Sequence, residues 1–340
     1  MLFPFKGKSV SRMGKIVDFT ASFLTVLGVV VSAFFYMKDR PVRNRDAVYA
    51  AWQIVASMEG KKGSGGREAA IAQLQDHRED LSGITLDSGY LKNMNLSDTN
   101  FLEASFAHTI LSHSSFNNSH LSLSSFNHAR FRNAQFKNAS LDDTDFIGAI
   151  MTDADLGSAQ IIHCVGDTVT TFNGSSFSNA KIAYSQFLGT NFDNTIFTNS
   201  NLVEVVLDDS FMRRSKLTDA TWRYIKGCHL DMSLSEANNI SIGGLSDLTG
   251  SRFDRTKFRF ARFEGVNLTA TSFFNSDLTG TVFVDSNLSL ADFSSSTLTN
   301  AKIERCVIEK LDLSGADRSG LKIMNCTGEP IGLSIDNESK

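Results

Sequence analysis

The sequence predicts a solenoid, in which the chain winds into stacked coils around one continuous apolar column. From about Leu81 to Ile323, a large apolar residue recurs at every fifth position. A small residue, such as Ala104, Ser114 or Ala129, stands two positions before most of these apolar residues. A period of five fits neither an α-helix nor a β-strand, so the chain must turn a corner every five residues and point one side chain inward.

The period falls into three blocks, each displaced by one residue from the block before it. The blocks cover 81–161, 172–222 and 248–313. They define a repeat region at 81–325, with predicted breaks near 163–171 and 227–247, followed by a tail at 326–340. The second break is interpreted as a loop of about twenty residues, and loops of that length in a compact fold are usually functional.

Two of the repeats, ASLDD at 139–143 and ADLGS at 154–158, resemble the A-[DN]-L-x-x motif of pentapeptide-repeat proteins. The resemblance covers roughly 240 of the 340 residues, and its many copies make it specific. It implies an all-β solenoid, a right-handed quadrilateral β-helix with four pentapeptides per coil. Residues twenty apart would then lie above one another, so that Phe106, Phe126 and Phe146 form one inner ladder.

A basic segment at 1–15 and an apolar stretch at 16–37 open the chain. As a helix the apolar stretch is about 33 Å long, enough to cross about 30 Å of hydrocarbon. It is too long for the core of a signal peptide, so we interpret it as an uncleaved transmembrane anchor. Basic residues are equally frequent on its two sides. Charge therefore does not indicate the orientation of the helix in the membrane. The free cysteines suit a reducing compartment and favour a cytoplasmic repeat domain.

One face of the predicted transmembrane helix gathers small and hydroxylic residues. This seam consists of Asp18, Ala21, Thr25, Gly28 and Ser32. Small residues let transmembrane helices approach closely, and a carboxylate at membrane depth usually faces protein or water. The seam therefore predicts a homo-oligomeric helix bundle, which could also line a pore. The alternative is a single-pass anchor in which the small residues are incidental.

Residues 38–80 are predicted to form juxtamembrane helices and a linker. An apolar stripe runs along 47–58, glycines interrupt the chain at 60–66, and a second helix at 68–81 is predicted to cap the open end of the solenoid. The stretch from Ala51-Trp52 to the first repeats is similar to the N-terminal region of bacterial membrane-anchored pentapeptide-repeat proteins. That resemblance implies a single-pass protein of the bacterial inner membrane.

Composition and motifs argue against catalysis. The net charge of −4 over 340 residues fits neither a disordered nor a strongly basic protein. We find no G-x-S-x-G, H-E-x-x-H or C-x-x-C signature, and we predict no enzyme activity, no catalytic residue and no cofactor. His163-Cys164 and Cys228-His229 offer the ligand types of a zinc site. Their spacing matches no zinc finger, so we predict no metal.

Basic residues cluster on both sides of the second predicted break, although the chain is acidic overall. They are Arg213, Arg214, Lys216, Arg223, Lys226, Arg252, Arg255, Lys257, Arg259 and Arg262, and Trp222, Tyr224 and Phe260 accompany them. We expect these residues to form a basic belt on neighbouring coils, where single-stranded nucleic acid or a nucleotide would bind. The alternative is a set of surface charges paired across coils with Glu204, Asp208 and Asp209.

These features favour a non-enzymatic, membrane-anchored protein, homo-oligomeric through its transmembrane helix, whose rigid β-helix is a binding or sensing surface for an unidentified protein partner. The alternative is a pore-forming ion-channel effector of a bacterial anti-phage defence system, regulated by an anionic ligand at the basic belt. A third hypothesis is DNA mimicry toward topoisomerase, as in soluble pentapeptide-repeat proteins of the quinolone-resistance type. Mimicry requires a strongly acidic exterior, and the basic belt argues against it.

Overall fold

The computed structural model describes residues 44–58, 61–63 and 65–332. The basic segment, the predicted transmembrane helix with its seam from Asp18 to Ser32, and the end of the tail lie outside these residues. Within the described ranges, no helix has both the length and the apolar character that a membrane crossing needs.

Two helices cover the N-terminal end of the solenoid. Helix α1 occupies 44–57, and α2 occupies Arg67–Asp76. Ala51 of α1 and both Ile71 and Leu74 of α2 are buried in the same apolar core as the first coils. The two helices therefore cap the apolar cross-section that the first coil would otherwise expose to water. Helix α2 ends earlier than predicted, because the first coil already begins near residue 81.

Parallel pairing between successive coils shows the predicted four-sided shape. Thr85 pairs with Ser105, Tyr90 with Ile110, Asn95 with Ser115 and Asn100 with His120, and this pattern continues along the chain. Partners are 20 residues apart, and paired positions recur every five residues. Each coil therefore consists of four pentapeptides, as predicted.

Two of the four faces contain extended strands, and most of the strands lie on one of these faces. The strands are β1 (Gln160–Ile162), β2 (Val165–Gly166), β3 (Lys181–Ala183), β4 (Gln186–Phe187), β5 (Asn201–Val203), β6 (Thr221–Arg223), β7 (Ser241–Gly243), β8 (Arg262–Glu264), β9 (Val282–Val284), β10 (Lys302–Glu304) and β11 (Lys322–Met324). Nine of them form one parallel sheet in the order β1-β3-β5-β6-β7-β8-β9-β10-β11, and β2 pairs with β4. In the strands of the nine-stranded sheet the central residue points inward and the two flanking residues point outward, although Ala183 of β3 and Val284 of β9 are nevertheless buried.

The core is the column of apolar residues that the period predicted. Every predicted inner residue from Leu81 to Leu313 is buried. The ring centroids of Phe106 and Phe126 lie 5.5 Å apart, as do those of Phe126 and Phe146, so the predicted inner ladder is confirmed. Such edge-to-face contacts add to the burial of apolar area, which is the main stabilising contribution.

The small residues form a second buried position in each repeat. Where the residue is Ser or Thr, its hydroxyl usually donates to the carbonyl of an inner residue one coil earlier, although Thr195, Ser200 and Ser296 donate to a carbonyl in their own coil. Ser114 Oγ, for example, lies 2.9 Å from the carbonyl oxygen of Leu91, and Thr109 Oγ1 lies 2.8 Å from that of Leu86. A buried hydroxyl is tolerated at these positions because its hydrogen bond offsets the cost of removing it from water.

The first register shift comes from one extra residue in a corner. Asp145 pairs with Val165 at a separation of 20, whereas Ile150 pairs with Thr171 at a separation of 21. The extra residue lies in the turn that follows Gly166. There the Asp167 carboxylate accepts hydrogen bonds from the backbone N–H groups of Gly148, Val169 and Thr170.

The second predicted break is not a loop, so that interpretation was wrong. Between 227 and 247 the chain completes a normal coil whose inner residues are Gly227, Met232, Ala237 and Ile242. Only one residue is inserted, at the corner after β7, since the pairing separation changes from 20 at Arg223–Gly243 to 21 at Lys226–Asp247. The period of large residues faded because Gly227 and Ala237 are small. The space at Gly227 is filled by Ile225 and Leu230, which occupy positions usually held by small residues, and by Leu248 of the next coil. The same coil also holds the fully buried Trp222.

Pairing continues beyond the predicted end of the repeats at 325. Val307 pairs with Thr327 and Asp312 with Ile331, so the last coil includes part of the predicted tail. Arg318, which occupies an inner slot in the sequence pattern, is exposed, and its Nη1 donates to the carbonyl oxygen of Gly332 at 2.9 Å. An arginine is accommodated here because no described coil covers this end of the core.

Candidate binding surfaces

The four-sided coil sorts surface residues into vertical columns. Residues 20 or 21 apart lie above one another, and the corner residue of each repeat has a positive φ, for example 55° at Arg214 and 55° at Arg255. Each corner side chain therefore projects between two faces. The position of any basic residue follows from its place in the repeat.

The predicted basic belt divides between faces. Seven of its members lie on two adjacent faces and the corner between them: Arg213, Arg214, Lys216, Arg252, Arg255, Lys257 and Arg259. Arg223, Lys226 and Arg262 lie on the other two faces. The seven residues come from two coils, and the coil between them carries Asp231 and Glu236. Along one ladder the charges alternate, because Lys216, Glu236, Lys257 and Asp277 pair in that order.

Six of the ten belt residues are neutralised by neighbouring carboxylates. The pairs are Arg213–Asp193 (2.5 Å), Lys226–Asp208 (3.3 Å), Arg252–Asp254 (3.7 Å), Lys257–Glu236 (2.7 Å), Arg259–Asp277 (2.5 Å) and Arg262–Glu264 (2.9 Å). The hydrogen bond from Lys257 and its charge hold the pKa of Glu236 below its usual value. Of the acids expected as partners, only Asp208 binds a belt residue; Asp209 lies 3.4 Å from His229 instead.

Four belt residues, Arg214, Lys216, Arg223 and Arg255, make no ion pair within residues 44–58, 61–63 and 65–332. Arg223 is on a separate face. Arg214, Lys216 and Arg255 are exposed around one corner and are here named the corner patch. Arg214 and Arg255 are two coil spacings apart, about 10 Å. Leu234 lies between them in the column and is 43% exposed.

The aromatic residues near the belt differ in their positions. Trp222 is fully buried in the core, so it offers no stacking surface and that expectation was wrong. Its indole Nε1 has no hydrogen-bond partner among the described residues. Phe260 and Tyr224 are exposed corner residues, but both lie on different corners from the corner patch, because Phe260 is one repeat after Arg255 and Tyr224 is two repeats after Arg214.

The two His-Cys pairs that offered zinc-ligand types are on separate corners. His163 lies 3.6 Å from Asp143, and His229 lies 3.4 Å from Asp209, each the corner residue one coil earlier. Cys164 is buried, and burial raises the pKa of its thiol; Sγ donates to the carbonyl oxygen of Leu141 at 2.7 Å. Cys164 thus fills one of the buried positions that small residues occupy in other repeats.

A groove at the N-terminal end was not foreseen. It has a volume of about 820 Å³ and is lined by Lys62, Gly63, Ser88, Gly89, Tyr90, His108, Ile110, His128 and Arg130. We name it the N-terminal groove. Its residues come from the linker and three successive coils, so they are scattered in the sequence. The signal that would have shown them is the 20-residue alignment of His108 with His128 and of Tyr90 with Ile110 and Arg130.

Sequence models of pentapeptide repeats match over half of the chain. A nine-copy model matches 116–160, and an eight-copy model matches 80–122, 170–199, 246–269 and 271–309. The chain belongs to the pentapeptide-repeat family. A comparison of this pentapeptide-repeat protein with curated proteins gave no match.

Several solved structures are similar to this pentapeptide-repeat protein. HetL from Nostoc sp. strain PCC 7120, a pentapeptide-repeat protein involved in heterocyst differentiation regulation, is 17% identical, with 76% of this chain and 93% of HetL covered and a TM-score of 0.27. QnrB1, a plasmid-mediated fluoroquinolone resistance protein, is 15% identical, with 54% and 91% covered and a TM-score of 0.29. The A-module of the mannuronan C-5 epimerase AlgE4 from Azotobacter vinelandii is 11% identical, with 82% and 96% covered and a TM-score of 0.30. None of these likenesses bears on function.

Proposed function

We propose that this protein is a non-enzymatic, membrane-anchored binding protein whose solenoid is the recognition surface. The observation that carries the proposal is the corner patch. Arg214, Lys216 and Arg255 are exposed and make no ion pair in the described part of the chain, whereas the other belt cations are mostly paired. A continuous apolar column supports this surface, so the three cations are held at fixed spacing. Such a surface suits an anionic partner, and single-stranded nucleic acid is the class we propose.

The corner patch can be tested by measuring the binding of single-stranded DNA and RNA to the full-length protein at several salt concentrations. We expect salt-sensitive binding that weakens about tenfold or more when Arg214, Lys216 and Arg255 are all changed to Ser, because each cation releases counterions from the nucleic acid. The matched control changes Lys181, Lys310 and Lys322 to Ser. These lysines are exposed, make no ion pair in the described part of the chain and lie on other faces. Equal weakening by both variants would show that net charge, not the corner patch, sets affinity.

Membrane anchoring and oligomerisation are proposed from the sequence of 16–37. Native mass spectrometry of the full-length protein in detergent should show a homo-oligomer. Leucine at both Thr25 and Gly28 should reduce it to monomers, because bulky side chains would keep the helices apart. The matched control places leucine at Val26 and Val30, which the helical spacing puts on a face away from the seam. An oligomer that survives Thr25→Leu with Gly28→Leu would exclude the seam as the contact.

The second candidate function is a pore-forming effector of anti-phage defence. The feature that favours it is Asp18 in the seam, since a carboxylate at membrane depth usually faces water or protein. Ion flux from liposomes containing the full-length protein separates a conducting bundle from a simple anchor. Flux that depends on added nucleic acid would support the effector, whereas tight oligomers without flux would support the binding protein.

A further inference from the structure

The N-terminal groove has two walls and a closed end. One wall is the corner column of Ser88, His108 and His128, and the other is the ladder in which Tyr90 pairs with Ile110 and Ile110 with Arg130. The linker closes the end, because the N–H of Tyr90 donates to the carbonyl oxygen of Gly63 at 3.2 Å. The groove volume of about 820 Å³ lies in the range of small-molecule sites.

The charges lining this groove are all positive or neutral. Lys62 and Arg130 are exposed, line the groove and have no carboxylate within ion-pair distance in the described part of the chain. His108 and His128 add ring nitrogens, and their rings stack with centroids 5.0 Å apart and an interplanar angle of 14°. No Asp or Glu is among the lining residues. This differs from the basic belt, where most cations are already neutralised.

A buried arginine lies directly behind the groove wall. Arg67 is 0% exposed, and its guanidinium donates to the carbonyl oxygens of Leu86, Asp87 and Lys61 at 3.2, 3.0 and 3.2 Å. No carboxylate neutralises it within ion-pair distance among the described residues. A side chain at Gly89, one of the lining residues, would begin 2.7 Å from Nη1 of Arg67. The glycine thus brings the groove surface against a cation.

Burying a charge is costly. The charge of Asp87 compensates Arg67 only in part, because burial lowers the pKa of Arg67 more than Asp87 raises it. Asp87, whose carbonyl oxygen Arg67 binds, has its carboxylate engaged with the hydroxyl of Ser105 at 2.5 Å and the N–H of Ala107 at 2.9 Å. An anion in the groove would therefore gain from Arg67 as well as from Lys62 and Arg130. Charge in a partly enclosed site acts more strongly than on an open surface.

The groove also offers an aromatic surface beside these cations. Tyr90 is 43% exposed, and Ile110 lies next to it in the same wall. Lys92 Nζ is 4.9 Å from the centre of the Tyr90 ring and adds a further cation at the rim. A ligand that fits both features carries phosphate on one side and a flat ring on the other.

We propose that the N-terminal groove binds a nucleotide-class ligand, with its phosphate at Lys62 and Arg130 and its base against Tyr90. The inference rests on the proposed binding role of the solenoid, but it concerns a different site from the corner patch. Because Lys62 and Gly63 belong to the linker between α1 and α2, a bound ligand would join the linker to three coils of the solenoid.

The experiment titrates the full-length protein with ATP and, in separate arms, with inorganic triphosphate and with vesicles containing phosphatidylglycerol. We expect saturable ATP binding by calorimetry, weakened about tenfold or more by Arg130→Ser, since a charge-assisted contact is lost. Tyr90→Leu should weaken ATP binding and leave triphosphate binding unchanged. The matched control is Arg132→Ser, which removes the same charge from the same coil at an exposed position outside the groove.

Three outcomes would overturn the proposal. The first is that no saturable ATP binding is seen at millimolar concentration. The second is that Arg130→Ser and Arg132→Ser lose equal ATP affinity. The third is that the protein binds the vesicles but not ATP, which would assign the phosphate to a lipid headgroup. Failure here would leave the corner patch untouched, because Lys62, Tyr90 and Arg130 are not part of it. Thermal unfolding of each variant shows that it is folded, and all of the substituted side chains are exposed.

Discussion

At the scale of the residue, the corners are where this chain is most constrained. Each corner residue adopts a left-handed backbone conformation, which Asn, Asp and Gly tolerate and bulky residues rarely adopt. Phe260, Tyr224 and His229 nevertheless occupy corners, and in each case the corner one coil later is a glycine. A Cβ on Gly280 would lie 2.6 Å from the Phe260 ring, and one on Gly250 would lie 2.8 Å from the His229 ring. In these three columns the glycine leaves room for the ring, whereas other large corner residues, such as Tyr184 with Glu204 one coil later, have no glycine above them.

This pairing can be tested with two glycines that have the same backbone. Gly265 and Gly280 both have φ of +67°, but a Cβ on Gly265 would meet nothing within 4 Å. We expect Gly265→Ala to cost about 1–2 kcal/mol from the left-handed conformation alone. Gly280→Ala should cost more, because the Phe260 ring must move. Thermal unfolding measures the difference.

The added variant Phe260→Ser isolates the contact. In that background Gly280→Ala should be no more damaging than Gly265→Ala, as expected when a double-mutant cycle removes a specific contact. If Gly280→Ala and Gly265→Ala lower the unfolding temperature equally in the native background, the ring contact has no energetic weight.

At the scale of the element, one coil shows how the core tolerates an irregular composition. Trp222 is buried in a coil whose other inner residues include Gly227 and Ala237, whereas coils on both sides carry larger residues at these positions. Interiors are close-packed, so a large side chain on one face must be offset by small ones on others. Because two inner positions of this coil hold small residues, the pattern of large apolar residues did not show that the second block continues through it.

If Trp222 and the small residues of its coil compensate for each other in volume, the effect of enlarging Ala237 on stability should depend on Trp222. Ala237→Leu should destabilise the protein by about 1–3 kcal/mol, because the coil has no room for three more carbon atoms beside Trp222. In a Trp222→Leu background the same Ala237→Leu change should be neutral or stabilising. Thermal unfolding of the two single variants and the double variant gives the answer, and additive losses would contradict the compensation.

At the scale of the whole molecule, stability arises from the contacts that each coil makes with its neighbours. Each coil pairs only with the coils before and after it, and the helical cap contacts the first coils. In such an architecture a local defect spreads only by a few coils. The N-terminal end, where Leu74 and Ile71 cover the core, is thus independent of the C-terminal end.

A charge placed under the cap should loosen one end only. Leu74 is 0% exposed, and we expect Leu74→Asp to raise amide hydrogen exchange in the coils between 81 and 120. Exchange between 270 and 310 should be unchanged. Ala72→Asp, at an exposed position of the same helix, is the matched control. Uniform acceleration along the whole chain would show that the solenoid unfolds as one unit instead.

The coils could be predicted from the sequence because every coil has the same requirement, an apolar residue pointing inward on each face. Phe106, Phe126 and Phe146 must point inward in every coil, so their spacing alone places them. The basic belt could be predicted only in part. Spacing places Lys257 directly above Glu236 on one ladder, but which long, flexible side chains form ion pairs does not follow from the period. The N-terminal groove also needed the linker's position, which no period encodes. The cap was foreseen because an open apolar end requires a cover.

The 20-residue coil also sets a rule for how such a chain can change length. A duplication of 20 residues would raise the rod by about one strand spacing, 4.8 Å, and leave every downstream side chain facing the direction it had. A duplication of five, ten or fifteen residues would rotate all later surfaces by one, two or three quarter turns. The chain's own extra residues, near Gly166 and Gly244, both lie at corners, where one residue is absorbed without such rotation. Evolution can therefore lengthen or shorten this solenoid by whole coils without changing the face on which each surface residue lies.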